Sequence, residues 1–323
     1  MNNKRMDWRQ GDSMDILCVG QLVADILAKP VDEVDFNVDT KRVEHISIKN
    51  GGDCLNTAID LKILGNSVGF AGLVGEDGFG EFLMKTIRNY GIDVRGLRVV
   101  PGTSTAAVIV LINGHGDRTF LYYGGTNDLF SFEHVDTAMV DECKIVHVGG
   151  TYLLPCFDGQ GAERLFHLAR LKNKVTSMDV TWDTTGRWLE IIRPCLKHLD
   201  FFMPSYNEAK EITKRNSPED MAGFLLEEGV GTVVIKLGKE GCYIKGKGES
   251  FYQKAYDVEA VDTTGAGDAF VAGFLTGIAR GWDLRACGRF ASAVSAHCIG
   301  QLGATSGIPD FESVMKFIKN NNT

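Results

Sequence analysis

No stretch of this 323-residue chain stays apolar for long: the longest run, Ala106 to Ile112, is far too short to span a bilayer. The opening MNNKRMDWRQGD lacks the apolar core of a secretory signal, so a cytoplasmic location is expected. Basic residues are outnumbered, 34 Lys and Arg against 42 Asp and Glu, and no long Lys/Arg run offsets the net charge of −8. Neither a nucleic-acid surface nor a membrane partner is expected from that balance. Eight cysteines stand singly, without a C-x-x-C pair or a Cys/His zinc spacing, which points to reduced, mostly buried thiols. Internal repeats, low-complexity tracts and proline-rich linkers are also missing. So are two phosphate-binding signatures. No G-x-G-x-x-G follows the first β-rich run, where Gly20-Gln21-Leu22-Val23-Ala24 stands, which argues against a dinucleotide-dependent dehydrogenase. No G-x-x-x-x-G-K-[ST] occurs either, so any phosphate site is built in another way.

What is present is an ordinary globular composition, 44% hydrophobic and 24% charged, at a length that suits one large domain with an appended piece. Short β-rich runs at Ile16–Gly20, Ser67–Gly72, Ile145–Val148, Val175–Asp179, Phe201–Pro204 and Thr232–Leu237 alternate with amphipathic stretches. The latter are Asn56–Leu64, Phe79–Tyr90, Gly161–Leu171, Ser217–Glu228 and Ala266–Ala279. This alternation predicts an α/β fold with a mostly parallel sheet between helical layers, and ligands beyond the carboxyl ends of its strands. Val31–Lys49 and Thr103–Tyr123 break the pattern: both look like strands without helices, the second folded at Asn113-Gly114-His115-Gly116-Asp117. They form either a small separate sheet or an extension of the main one.

The chemistry concentrates in Val261-Asp262-Thr263-Thr264-Gly265-Ala266-Gly267-Asp268-Ala269-Phe270. Gly265 and Gly267 permit a tight turn, and the periodic Phe270, Phe274 and Ile278 predict a helix starting there. Unpaired amides of a first helical turn hold an oxyanion or phosphate, so Gly265, Ala266 and Gly267 are candidate donors to a transferring phosphoryl group. Asp268, in the same turn, is the candidate base for an attacking hydroxyl. The alternative is an Asp that caps a glycine-rich turn.

DTTGAGDAFVAGF resembles the C-terminal signature of the ribokinase-like, or PfkB, family of carbohydrate kinases. Gly51-Gly52-Asp53-Cys54-Leu55-Asn56-Thr57-Ala58, then Leu64-Gly65 and Gly72-Leu73-Val74-Gly75-Glu76-Asp77-Gly78-Phe79-Gly80, resembles its N-terminal signature in order and spacing. The resemblance runs from Asp15 to Pro309. It implies a ribokinase-like three-layer sandwich: a main domain from residues 13–30, 51–102 and 124–320, and a small β lid from 31–50 and 103–123. It also implies an ATP-dependent phosphotransferase acting on a sugar hydroxyl, with Mg²⁺ and in many relatives K⁺. A homodimer through the lid is common in such relatives.

Residue by residue, the resemblance places Asp25, Gly52, Asn56 and Asp179 against the acceptor sugar. Asp53 joins them where ribokinase proper has Lys, which disfavours ribose and a sugar already bearing phosphate. Thr181 and Asp183 depart from the family's D-x-N-x-R segment after Asp179, so acceptor identity does not carry over. Glu208, in Pro204-Ser205-Tyr206-Asn207-Glu208-Ala209, matches the acid that holds Mg²⁺ through water, although Ser205 replaces the motif Asn. Lys236, Gly238 and Gly241 match the nucleotide side, with Lys236 where Thr is frequent. Asp262 and Thr264, with Gly303 near the second loop, match the monovalent-cation site. Trp182 or Trp188 either stacks on a sugar or belongs to the core. Two other functions stay open: a nucleoside kinase of the same family, for which Phe120, Tyr122 and Tyr123 would supply aromatic lining, and a non-catalytic sugar or nucleotide sensor.

Overall fold

A computed structural model describes residues 13–321, and residues 1–12, on which the expectation about a leader rests, lie outside it. The first half of the chain forms β1 (Met14–Gly20), β2 (Val23–Lys29), β3 (His45–Gly51), α1 (Asp53–Ile63), β4 (Val68–Gly75), α2 (Gly78–Asn89), β5 (Asp93–Val100), β6 (Ala107–Ile112), β7 (Arg118–Tyr123), α3 (Thr137–Glu142), β8 (Cys143–Thr151) and α4 (Gln160–Leu171). The second half forms β9 (Val175–Val180), α5 (Leu189–Leu196), β10 (Phe201–Phe202), α6 (Tyr206–Thr213), α7 (Pro218–Glu227), β11 (Thr232–Lys236), β12 (Cys242–Gly246), β13 (Glu249–Gln253), α8 (Ala266–Ala279), α9 (Leu284–Ile299) and α10 (Phe311–Asn320).

Nine strands make one sheet in the order β13-β12-β11-β10-β9-β8-β1-β4-β5, parallel from β11 to β5 and closed at one edge by the antiparallel β12 and β13. Strands covered on both faces read as continuous apolar runs, and every residue of β4 is buried. Successive side chains of β1 serve opposite layers: Ile16 and Cys18 join the core under α1, α8 and α9, while Leu17 and Val19 join the core under α4, α5 and α7. Helix α8 is apolar all round, buried from Asp268 to Ala279, and therefore central. The chain winds outward from β1 through β4 on one side and from β8 through β9 on the other. The strand order thus reverses between β1 and β8, and a crevice opens beyond their carboxyl ends.

The second sheet is separate from the first, in the order β3-β2-β6-β7. Its boundary differs from the expected one. β2 leaves the main layer immediately after β1 and pairs with β3 and β6, so residues 23–29 belong to the small sheet, whereas residues 31–44 form no strand. The two-residue link Gln21-Leu22 redirects the chain, and apolar alternation cannot say which sheet a strand will join. β5, the β12–β13 hairpin and helices α3, α5, α6, α9 and α10 also lay outside the sequence expectation. Seven of the eight cysteines are buried and Cys156 is exposed. Among the described residues no helix is long and apolar enough to cross a membrane.

Candidate active site

The crevice is organised by the start of α8. Gly265 takes φ +75° as its N-cap, and a Cβ there would lie 2.4 Å from the Ala304 carbonyl oxygen, so a side chain is excluded by both conformation and space. Ala269 N–H to Gly265 O, at 2.8 Å, is the first helical hydrogen bond. The amides of Gly267 and Asp268 precede it without a helical partner, whereas Ala266 N–H donates to Thr263 O at 3.3 Å, and the dipoles of this turn favour an anion at this end.

Asp268 is 8% exposed, and its Oδ2 accepts from Asn56 Nδ2 at 3.0 Å. Asn56 Oδ1 in turn accepts from Asn50 Nδ2 at 3.1 Å, so a polar chain runs from β3 of the small sheet through α1 to the first turn of α8. Sequence reasoning missed Asn50, although it directly precedes the Gly51-Gly52 pair of the N-terminal signature. Burial holds the Asp268 carboxyl well above the usual carboxylate range; Asp53 and Asp179 add to this, while Asn56 and Lys236 act against it. A carboxylate so disfavoured is a better proton acceptor than one in water.

One cavity of about 350 Å³ brings together Asp53, Asp179, Glu208, Lys236, Gly238, Gly265, Gly267 and Asp268. Its electrostatics are acidic. Burial pushes Asp53 up to about 6, with Glu208 and Asp25 contributing against Lys236. Burial likewise pushes Asp179 up to about 7, opposed by Lys236. Lys236 Nζ lies 2.6 Å from Asp179 Oδ2. Burial works against its charge, but Asp179 and Glu208 carry the balance upward. A Cβ on Gly267 would stand 3.4 Å from Lys236 Nζ, so the same ammonium also faces the anion turn. Lys236, expected on the nucleotide side, thus lies between Asp179, expected on the acceptor side, and the turn at Gly267.

Glu208 holds a second post. Its Oε2 accepts from Ser205 N–H at 2.7 Å while Glu208 N–H reaches Ser205 Oγ at 3.4 Å, a capping box that starts α6. Ser205, in the place of the motif Asn, thus fixes the rotamer that keeps this carboxylate on the cavity wall.

Asp25 comes from β2, in register with Lys49 of β3, and not from the end of β1 as expected. Burial pushes it up to about 7. Gly51 is the reason it fits: a Cβ there would be 2.2 Å from Asp25 Oδ2. Gly52 caps α1 next door. Gly238 and Gly241 line a second cavity of about 450 Å³ with Tyr256, Val258, Phe270, Ala296 and Ile299, which reaches the anion turn at Thr263 and Ala266. Gly238 borders both cavities.

Asp262, Thr264 and Gly303 gather beside the turn, but as partners of one another. Asp262 Oδ1 accepts from Thr264 N–H at 2.8 Å and Oδ2 from Gly303 N–H at 2.9 Å. Arg118 of β7, which sequence reasoning also missed, completes the group through an ion pair with Asp262. Trp188 is core, 6% exposed and edge-on to Tyr152, while Trp182 is half exposed against it. Asp183 accepts from Trp188 N–H and Thr185 N–H and so holds the turn before α5.

A family model described as "pfkB family carbohydrate kinase" matches residues 13–310. An ATP-dependent 6-phosphofructokinase of Thermoanaerobacterium thermosaccharolyticum is 27% identical over 305 residues, covering 93% of this chain and 92% of its own. A 5-dehydro-2-deoxygluconokinase of Clostridium beijerinckii is 28% identical over 320 residues, covering 95% and 93%. A solved structure of ribokinase from Thermotoga maritima superposes with a TM-score of 0.82 at 25% identity, covering 95% of this chain and 100% of that one.

Proposed function

This chain belongs to the pfkB family of carbohydrate kinases, and on that premise we propose that it transfers the terminal phosphoryl group of ATP to a hydroxyl of a small, uncharged carbohydrate. The observation that carries the proposal is the position of Asp268. Its carboxylate and the first-turn amides of α8 stand where the acid-lined cavity meets the cavity of Tyr256, Val258 and Phe270. The larger cavity takes the nucleotide, with Gly238 and Gly241 allowing the phosphates to run past the backbone. Asp25, Asp53, Asn56 and Asp179 hold the acceptor by accepting from, and in the case of Asn56 also donating to, its hydroxyls.

Asp268 removes the proton as the acceptor oxygen forms its bond to phosphorus. The bond from phosphorus to the bridging oxygen breaks, and ADP carries away that electron pair. The amides of Gly267 and Asp268, and that of Ala266 once it exchanges its bond to Thr263 O, meet the charge on the equatorial oxygens, and Lys236 supplies a fixed positive charge beside Gly267. Magnesium suits Glu208, which would hold the ion through water, where it would neutralise phosphate charge. Among the residues lining the acceptor cavity the one cation, Lys236, already faces Asp179. A phosphorylated sugar or sugar acid would therefore meet unbalanced carboxylates.

The small sheet carries Asp25 and Asn50 to the site, so its closure would exclude water from the phosphoryl group. The face opposite Asp25, which by alternation also carries Asn50, bears a row in register, Ile48, Ile26, Ile109 and Leu121. Ile48, Ile109 and Leu121 are exposed, and a second copy of the chain covering that row is part of the proposal.

The test is ADP release over a panel of neutral sugars, sugar acids, phosphosugars and nucleosides. A single strong neutral acceptor that needs Asp268 supports the reading. A nucleoside acceptor selects the alternative activity. ATP binding with no turnover on any acceptor favours a sensor.

A further inference from the structure

Arg118 opens β7 beside the Asn113–Asp117 turn, at the end of the small sheet away from its link to β1, and its guanidinium crosses to the loop that leads into the glycine turn before α8. Its Nη2 lies 2.6 Å from Asp262 Oδ1, and its Nη1 donates to Thr264 Oγ1. The remaining oxygens of this loop are also supplied with donors. Oδ1 and Oδ2 of Asp262 accept from the amides of Thr264 and Gly303. The Cys298 Sγ lies 3.5 Å from the Thr264 carbonyl oxygen and 3.2 Å from that of Ala304, close enough for its one proton to serve either. Gly303 thus contributes an N–H, and the carboxylate of Asp262 and the hydroxyl of Thr264 already face a guanidinium. They do not fit the monovalent metal ion that the family resemblance assigns to them.

We propose that Arg118 is a built-in cation: the small sheet itself delivers to loop 262–264 the positive charge that a monovalent metal ion would otherwise bring. Arg is suited to this, because its guanidinium is permanently charged and forks over two acceptors at once. With Arg118 in place Asp262 is held down to about 2; its burial opposes this, and the amides of Gly303 and Thr264 with Arg118 outweigh it. Loop 262–264 runs straight into Gly265 and the amides of α8, so docking of the small sheet and bracing of the anion turn become one event. Arg118 is a positioning residue: it acts through Asp262 and Thr264.

The role of Arg118 in turnover rests on the kinase reading above, whereas its hold on the loop can be measured without turnover. The full-length protein is assayed in KCl, NaCl and tetramethylammonium chloride at equal ionic strength, by ADP release and by thermal midpoint. The expected wild-type rates agree within about twofold and the midpoints coincide. Arg118→Met should lower turnover by about 10- to 100-fold, mainly in kcat, as a misplaced anion turn would. In that variant K⁺, but not tetramethylammonium, should restore part of the rate and raise the midpoint. Arg118→Lys should retain more activity than Arg118→Met. Wild-type protein activated more than about fivefold by K⁺, or stabilised by K⁺, overturns the proposal, and so does an Arg118→Met variant indistinguishable from wild type. If Arg118→Met does not fold, the wild-type ion series decides; if no acceptor is turned over, the midpoints decide.

Discussion

Replacing Asp268 by Asn keeps the size of the side chain and its bond to Asn56, since the new amide can turn its oxygen toward Asn56 Nδ2. Only the basicity is lost. General-base removal costs about 10²- to 10⁴-fold in rate, or roughly 3 to 5.5 kcal/mol of transition-state stabilisation. The fold should respond in the opposite sense. The Asp268 carboxyl sits above its unfolded value because burial, Asp53 and Asp179 disfavour its charge. The native state therefore binds that proton more tightly than the unfolded chain, and stability falls as pH rises through and beyond the usual carboxylate range. Asn carries no such cost, so Asp268→Asn should have a thermal midpoint at pH 8 at or above that of the wild type. The assay pairs ADP release with thermal unfolding and with nucleotide binding measured by calorimetry. A kcat within tenfold of wild type, with the acceptor saturating, would refute the assignment of the base. Lost turnover with lost ATP binding would show instead that the substitution had damaged the anion turn.

The same sign governs the acid cavity as a whole. With Asp25 and Asp179 raised to about 7 and Asp53 to about 6, apo-protein stability should decline between pH 5 and 8, and Asp25→Asn should flatten that decline; a rising midpoint over this range contradicts it. Lys236→Met leaves the Asp179 carboxylate unpartnered and should cost about 3–5 kcal/mol in denaturant unfolding. Adding Asp179→Leu should recover most of that stability but no turnover, so activity in the double variant would show that neither residue serves the reaction. Gly265→Ala forces a side chain into a φ of +75° against Ala304 O, with an expected loss of about 1–3 kcal/mol and of turnover. Unchanged kinetics there would mean that the anion turn tolerates displacement.

Several features were legible in the chain because they depend on neighbours in sequence. The start of α8 at Ala266 follows from two glycines and the Phe270, Phe274, Ile278 period, all within fourteen residues. The parallel sheet follows from the alternation of β-rich and amphipathic runs, and the family from two dense signatures. Residues that act through such local geometry, Gly265, Gly267 and Asp268, could be named directly. Asn50 and Arg118 could not. Asn50 matters because β3 brings it to Asn56, and Arg118 because β7 brings it to a loop more than 140 residues further along the chain. Lys236 was visible as a strand-end cation, but its pairing with Asp179 depends on β9 and β11 flanking β10.

The sequence by itself determined the layered α/β class, the glycine turn with its acid at the start of α8, and membership in a kinase family, because each is encoded in short-range period and spacing. Tertiary structure decided that β2 joins the small sheet, that Asp25 therefore reaches the site from the small sheet, that four acids crowd one cavity whose burial raises Asp53, Asp179 and Asp268, and that an arginine faces the loop where a metal ion was expected. Those outcomes depend on distances between segments far apart in the chain, and local pattern carries no information about such distances.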